Sequence, residues 1–484
     1  MTSKRTSDRY DFAVIGGGTA GLIASRLAAA LGARVVLIER GRPGGDCLWT
    51  GCVPSKALIA AAHLAHQMRT ARSVGLCRVE PEIDFAQVMA HVHGSRLTIE
   101  PKDSADSLRA DGVEVIEGSA RFVGPGRIDV DGTVVGYRSA LIATGSGPVI
   151  PDLDGLDGAD ALTNETLWDI TEQPGRLAIL GGGPIGCELG QAFQRLGTQV
   201  TMVESADWVL SKEEQETQQL IAARLRADGV DLRLGATAMR VENKNTLVVD
   251  EGGLVERRID FDRILVAAGR RPDTDGLGLE SIGAQVDSRG AVKVDARLAT
   301  TAKGVYAAGD ATGALPFTHV AGYHGRTVVT NALFHAPSKV SYDAVPWVTF
   351  TDPEVGRVGL TEAQARERYG DKVAAVVYDY ELSDRAVTAG DARGFAKLVG
   401  DPKGRLVGAS VAAAHGGESI AELAAWVRVG AKIDDVSNTV HAYPTFTEGQ
   451  ARAADDYLMA KHLTPSVRKI TKQLLALLRR SGRR

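Results

Sequence analysis

Two cysteines, Cys47 and Cys52, stand five positions apart in the stretch Gly44-Gly45-Asp46-Cys47-Leu48-Trp49-Thr50-Gly51-Cys52-Val53-Pro54-Ser55-Lys56. An Ala/Leu-rich run from Ala57 to Met68 follows and reads as a helix, with Pro54 and Ser55 near its start. Cys52 therefore lies close to a helix N-terminus, where orphan N–H groups favour negative charge and lower a thiol pKa. A thiolate with a second thiol within reach is the chemistry of a redox-active disulfide. A metal site would want further Cys or His at ligand spacing nearby, and the stretch has none, so no metal is expected there. Two inert core cysteines fit poorly beside two glycines, a helix start and a lysine.

The elements around this stretch come in two similar sets. Asp11 to Ile15 is a short apolar strand, followed by Gly16-Gly17-Gly18-Thr19-Ala20-Gly21, a helix to Leu31, and a second strand from Ala33 to Ile38 that ends at Glu39. Such a unit brings backbone N–H groups to a pyrophosphate at the helix N-terminus and offers an acid to ribose hydroxyls. The unit recurs. Arg176 to Leu180 is a strand, Gly181-Gly182-Gly183-Pro184-Ile185-Gly186 the loop, a helix runs to about Leu196, and Gln199 to Val203 leads to Glu204. The distance from first glycine to acid is the same in both copies, Gly16 to Glu39 and Gly181 to Glu204. Two dinucleotides are expected, one delivering hydride and the other handing electrons on. Glu204 sits where a 2′-phosphate would lie, and no Arg or Lys follows until Lys212, so NADH is favoured over NADPH.

Ala140-Leu141-Ile142-Ala143-Thr144-Gly145-Ser146 looks like a buried strand ending in a Gly turn, with a counterpart at Ile264 to Pro272 that contains Gly269. Each would close one sheet, with Thr144, Gly145 and Gly269 at the cofactor edges. The first domain then resumes at Gly304 to Asp310, where Asp310 can meet a ribityl hydroxyl; an ordinary turn Asp is the equal alternative on this stretch alone.

The 484 residues allow about three domains, and 44% hydrophobic with 24% charged residues is ordinary for a globular protein. The net charge of −4 argues against a nucleic-acid binder. Four cysteines (Cys47, Cys52, Cys77 and Cys187) are too few for a disulfide scaffold, which favours a reducing compartment. Met1 to Tyr10 holds no signal-peptide core and no later stretch approaches a membrane span, so a cytoplasmic location is expected. From Ala344 the texture becomes α+β without phosphate loops. Strands are expected at Val348 to Phe350, Val373 to Tyr380, Phe395 to Val399 and Leu406 to Ala412, and helices at Thr361 to Tyr369 and Glu418 to Val429. His441-Ala442-Tyr443-Pro444-Thr445-Phe446-Thr447-Glu448 precedes a last helix to about Leu463. Beyond it, Val467, Ile470, Leu474, Leu475 and Leu478 fall on one helical face among Arg468, Lys469, Lys472, Arg479 and Arg480. Packing on its own protein or a dimer partner is the favoured reading of that tail; peripheral contact with an anionic membrane is the alternative.

From Asp11 to about Leu463 the chain resembles the pyridine nucleotide-disulfide oxidoreductases, such as glutathione reductase, dihydrolipoamide dehydrogenase and mercuric reductase. The markers are the first Gly loop with Glu39, Gly-Gly-Asp-Cys…Cys-Val-Pro-Ser-Lys, Ala143-Thr144-Gly145, the second Gly loop with Glu188, Ala308-Gly309-Asp310 and the Pro-Thr…Glu ending. The resemblance implies an α/β fold with two Rossmann-like dinucleotide-binding domains and a C-terminal α+β dimerisation domain. Residues 1–150 would be the first part of the FAD domain, 151–275 the NAD(P) domain, 276–340 the resumed FAD domain, 341–463 the dimerisation domain and 464–484 the basic tail. It implies FAD on Gly16, Gly18, Gly21 and Glu39, a nicotinamide cofactor on Gly181, Gly183, Gly186 and Glu204, and a homodimer whose active sites are completed by the partner's C-terminal segment. It implies that Cys52 is the flavin-proximal thiol and Cys47 the interchange thiol that attacks substrate. Lys56 would lie near flavin N5, paired with Glu188, and Asp310 would contact FAD.

One departure bears on the acceptor. Disulfide-reducing members usually carry a His immediately before the Pro-Thr, paired with a Glu as acid/base. Here the position holds Tyr443, with Glu448 at the acid position, and a phenol titrating near ~10 is a poor base. His441 lies two residues earlier. A Tyr in this region suits mercuric reductases, but no cysteine follows Cys187 and no metal-binding domain precedes the first strand. The expectation is a mercuric-reductase-like branch whose small-molecule acceptor stays open between disulfides, Hg(II) and quinones; a redox-sensing or membrane-surface binding protein is the non-enzymatic alternative.

Overall fold

The computed structural model describes residues 9–253 and 256–481; the first eight residues, where no apolar leader was expected, and the last three of the basic tail lie outside them. The chain divides into two compact units. One comprises the residues up to Thr70, Val79–Val209 and Leu225–Ser341, the other Ala71–Arg78, Leu210–Arg224 and the residues from Tyr342 on.

In the first unit, Arg9–Ile15 lies between Val35–Glu39 and Thr133–Ile142, parallel to both, and Val113–Glu117 extends the sheet beyond Val35–Glu39. Strand periodicity sends alternate side chains to opposite faces. Ala13, Ile15, Val36 and Ile38 bury into one layer, and Phe12, Val14, Val35 and Leu37 into the other. A parallel sheet covered on both faces needs such continuous apolar runs. The expected resumption is present, with Val305–Ala307 adding to the same sheet beside Thr133–Ile142 in parallel register. A second parallel sheet has the order Asp231–Leu234, Gln199–Glu204, Arg176–Leu180, Arg263–Val266. Thr19–Ala30 and Pro184–Arg195 are the helices that leave the two Gly loops. The cysteine helix spans Cys52–Thr70, beginning two residues ahead of Pro54. Proline is tolerated that early, because the first four N–H groups of a helix have no intrahelical partner.

The second unit is built on a five-stranded antiparallel sheet, ordered Pro346–Thr349, Glu354–Gly359, Leu406–Ala413, Gly394–Gly400, Ala374–Asp379. Leu398 faces the helices Gly416–Val429 and Glu448–His462, while Val399 faces Ala365 on the helix Glu362–Tyr369. The strand Glu354–Gly359 has no counterpart in the sequence reading, because Gly356 and Gly359 interrupt its apolar pattern. Gly356 is there for a close approach: a Cβ on it would stand 2.4 Å from Gly416 O. Lys397 lies inside the expected strand among apolar neighbours and is only 2% exposed. Glu214, Glu216 and Glu362 surround its ammonium at 3.2, 2.7 and 2.9 Å. After Leu463 and Thr464 the tail forms the expected helix, Pro465–Ser481.

Candidate active site

The two Gly loops repeat one another atom for atom in their tightest contacts. Gly16 has φ +103° and Gly181 φ +109°, and a Cβ on either would stand 2.4 or 2.5 Å from the carbonyl oxygen of Ala143 or Ala267. Only glycine meets both demands. Each acid holds its loop across 22 residues: Gly17 N–H donates to Glu39 Oε2 at 2.5 Å and Gly182 N–H to Glu204 Oε2 at 2.6 Å. The other carboxylate oxygen accepts from Gly41 N–H at 2.7 Å, or Ala206 N–H at 2.8 Å. Glu39 and Glu204 thus fix the loop openings. Gly18 and Gly183 cap the two helices with no side chain satisfying the first N–H groups. A side chain on Gly183 would meet nothing within 4 Å. Open N-terminal donors, with empty space beside Gly183, fit a pyrophosphate at each loop. Thr144 Oγ1, beside Gly145 at the first loop, is buried with no hydrogen-bond partner among the described residues, which fits a missing polar ligand. Gly269 stands at the matching edge of the second sheet, where Val149 N–H donates to its carbonyl at 3.0 Å.

Cys47 lies on the short helix Gly45–Trp49, and Cys52 is the first residue of the next helix. Both are free thiols. The neighbouring Cys47 thiol, a hydroxyl from Thr318 and the Lys56 ammonium outweigh burial and lower the Cys52 pKa to about 6. Cys47 moves the other way, because the Cys52 sulfur beside it and its own partial burial favour the protonated form. The pair is therefore polarised, with negative charge favoured on Cys52 over Cys47. Lys56 Nζ is 2.7 Å from Glu188 Oε2, on the helix of the second Gly loop. The remaining cysteines differ. Cys77 is exposed, and Cys187 is fully buried, donating to Gly182 O at 3.3 Å, with its pKa pushed up by burial.

Several positioning residues carried no sequence signal. Thr318, first in the helix Thr318–Phe334, puts Oγ1 3.4 Å from Cys52 Sγ. Asp46 accepts from Asn164 Nδ2 at 3.1 Å and pairs with Arg270 Nη2 at 3.0 Å. Arg270 in turn donates to Ser146 Oγ at 2.9 Å, and Ser146 donates to Asp310 Oδ2 at 2.6 Å. The thiol loop and Asp310 are thus tied into one polar chain. Burial holds the Asp310 carboxyl above its usual range. The backbone ahead of it is held by His324, fully buried, whose Nδ1 accepts the Gly309 N–H at 3.1 Å.

The C-terminal motif lies in the second unit. Tyr443 is 64% exposed, and its hydroxyl donates to Asp384 Oδ2 at 2.8 Å. That carboxylate holds the phenol above its ordinary pKa, which makes it a still poorer base. Glu448 Oε1 accepts from Arg452 at 2.7 Å, while its Oε2 is buried with no partner among the described residues. His441 pairs with a different acid: its Nε2 is 2.8 Å from Glu422 Oε1 and its Nδ1 2.8 Å from Thr439 O. Glu422 was not legible as a partner. No group of three or more His, Cys, Asp or Glu that could hold a metal occurs among the described residues. Nor is any described helix long and apolar enough to cross a membrane.

Two dinucleotide loops, a paired dithiol and an ammonium–carboxylate pair beside it define a dinucleotide-dependent redox enzyme. Residues 10–325 match the pyridine nucleotide-disulphide oxidoreductase family and residues 345–454 its dimerisation domain, and the chain belongs to that family. Its members are flavoproteins that bind FAD and a pyridine nucleotide, and the dimerisation domain supports a homodimer. The dihydrolipoyl dehydrogenase of Thermus scotoductus is 39% identical over 462 residues, 92% of this chain and 97% of that one. A mercuric reductase of Bacillus cereus is 35% identical over 443 residues, 91% of this chain and 70% of that one. Among solved structures, the Cu(II) complex of the HOCl-induced flavoprotein disulfide reductase RclA from Escherichia coli aligns with a TM-score of 0.81 at 29% identity, covering 93% of this chain and 99% of that one.

Proposed function

We propose that the chain is an NADH-dependent flavoenzyme that reduces its own Cys47–Cys52 disulfide and, through Cys47, a disulfide or other thiol-reactive acceptor. The observation that carries this reading is the dithiol at a helix start, with Thr318 Oγ1 3.4 Å from Cys52 Sγ and Lys56, paired with Glu188, on the same helix as Cys52; Cys47, Thr318 and Lys56 lower the Cys52 pKa. FAD would be held by Gly16, Gly18, Gly21, Glu39, Thr144, Gly145 and Asp310, and the nicotinamide cofactor by Gly181, Gly183, Gly186, Glu204 and Gly269. Bound FAD supplies the two-electron relay between the nicotinamide and the dithiol. Glu188 keeps the Lys56 ammonium in place beside Cys52. Two electrons and one proton open the disulfide to the Cys52 thiolate and the Cys47 thiol. Cys52 is the base set against the Cys47 proton. Once Cys47 has lost that proton it attacks one acceptor sulfur, a mixed disulfide forms and the other acceptor sulfur leaves as thiolate. Cys52, its proton passed to solvent, then attacks Cys47 Sγ, which releases the second acceptor thiolate and restores the disulfide. With Tyr443 unsuited as a base, glutathione- or lipoamide-sized disulfides are slow substrates. Glu204, a carboxylate committed to two backbone amides, disfavours a 2′-phosphate and supports NADH over NADPH.

A soft metal ion is the second reading, favoured by the two adjacent thiols and by the Cu(II) complex of RclA and the mercuric reductases among the relatives. Metal binding displaces the thiol proton and needs no acid/base residue. Steady-state NADH oxidation by wild type and Cys47→Ser, with a disulfide, Hg(II), Cu(II) or a quinone as acceptor, tests the proposal. Disulfide and metal turnover should vanish in the variant while any quinone turnover survives. Disulfide turnover that persists in Cys47→Ser would overturn it, as would a higher kcat/KM for NADPH than for NADH in the case of the cofactor.

A further inference from the structure

The tail helix Pro465–Ser481 plays no part in the chemistry above. At 100° per residue, Val467, Ile470, Leu474, Leu475, Leu477 and Leu478 occupy an arc of about 160°. In the structure Val467, Ile470, Leu474, Leu475 and Leu477 are between 43% and 64% exposed, so these five side chains of the arc present a broad aliphatic surface to solvent. Arg468, Lys472 and Arg479 line one border, and Lys469 and Arg480 stand on the other side of the polar face. No acidic residue follows Asp456. Seven basic side chains follow Pro465 in a chain whose net charge is −4, so the rest of the chain stands at −11.

We infer that this helix docks the enzyme on an anionic lipid surface. The aliphatic arc would enter the boundary between headgroups and acyl chains, while the Lys and Arg stems reach along it to the lipid phosphates. A helix of 17 residues is about 25 Å long, too short to span but long enough to lie in the interface. The charge pattern selects lipid over a second copy of the helix. Two such tails face to face would align flanks of the same sign, whereas helix pairs that dock on one another carry both signs at their borders. The −11 of the remaining chain confines attraction to the tail.

Co-sedimentation of the FAD-loaded full chain with vesicles of phosphatidylcholine alone, or with one third phosphatidylglycerol, tests this. The full chain should pellet with the anionic vesicles only and be released by 0.5 M salt. A chain ending at Leu463 should stay in solution, keep its dimer by analytical ultracentrifugation and oxidise NADH at the unchanged rate. Each basic residue near an anionic surface contributes about five-fold in affinity, so Lys472→Gln with Arg479→Gln should weaken binding about 30-fold. Leu474→Asp should abolish binding without loss of turnover. Equal vesicle binding by the truncated chain, or none by the full chain, would overturn the inference. So would a truncated chain that falls to monomers, since the tail would then belong to the subunit interface.

Discussion

His324 makes a quantitative prediction about stability and pH. The ring is fully buried and its Nδ1 accepts the Gly309 N–H, so the neutral form is the one that fits. Burial lowers its pKa from 6.5 to about 4. A histidine with a folded pKa below its unfolded one binds its proton less readily in the fold. The native state is therefore fully favoured above pH 6.5, and that advantage is lost as pH falls from 6.5 through 4. The whole interval corresponds to about 3 kcal/mol. At pH 5 the folded ring is still about nine-tenths neutral while the unfolded one is almost fully charged, a factor of about 30, or about 2 kcal/mol. Protonation would also set an N–H against the Gly309 N–H, loosening the backbone that presents Asp310. His324→Asn keeps an acceptor near the Nδ1 position and does not titrate. Urea unfolding of the FAD-loaded wild type at pH 7 and pH 5, followed by far-UV circular dichroism and flavin fluorescence, should show a stability loss about 2 kcal/mol larger than that of His324→Asn. An equal loss in both proteins would refute the assignment of a neutral, hydrogen-bonded His324.

Three further outcomes are expected. In the NADH-reduced enzyme, iodoacetamide labelling of Cys52, read by peptide mass spectrometry, should rise with an apparent pKa of about 6. In Cys47→Ser it should rise at higher pH, and an unshifted profile would show that the pair does not share its proton. Lys397→Met leaves the buried Glu214 carboxylate without its cation and should cost about 3–5 kcal/mol in chemical unfolding; a loss under 1 kcal/mol would mean that this charge cluster relaxes freely. Tyr443→Phe should leave disulfide turnover within about two-fold, because the hydroxyl is engaged with Asp384 and its pKa is pushed up. A hundred-fold loss would instead make Tyr443 the missing acid/base.

The parts legible in the sequence are those set by short-range geometry. A pyrophosphate cradle needs a strand, a glycine turn, a helix N-terminus and an acid within one βαβ unit, so both copies could be found by spacing alone. The dithiol could be read the same way, since helix position and a neighbouring lysine are local facts. Pairing between distant elements leaves no such trace. Thr318 reaches Cys52 across 266 residues and Ser146 reaches Asp310 across 164. Any serine or threonine in a loop would have looked the same. Lys397 shows the converse, a charge inside an apolar strand whose burial depends on three acids from two other segments.

The amino-acid sequence by itself determined the two dinucleotide loops, the thiol pair, the family and the amphipathic character of the tail, because periodicity and spacing act over one or two elements. Only the tertiary structure brought the Thr318 hydroxyl to Cys52, the thiol the sequence had already set at a helix start. It also decided that His441 pairs with Glu422 while Tyr443 turns to Asp384. Hydrogen bonds and burial, which tune pKa values, exist only once distant segments have packed.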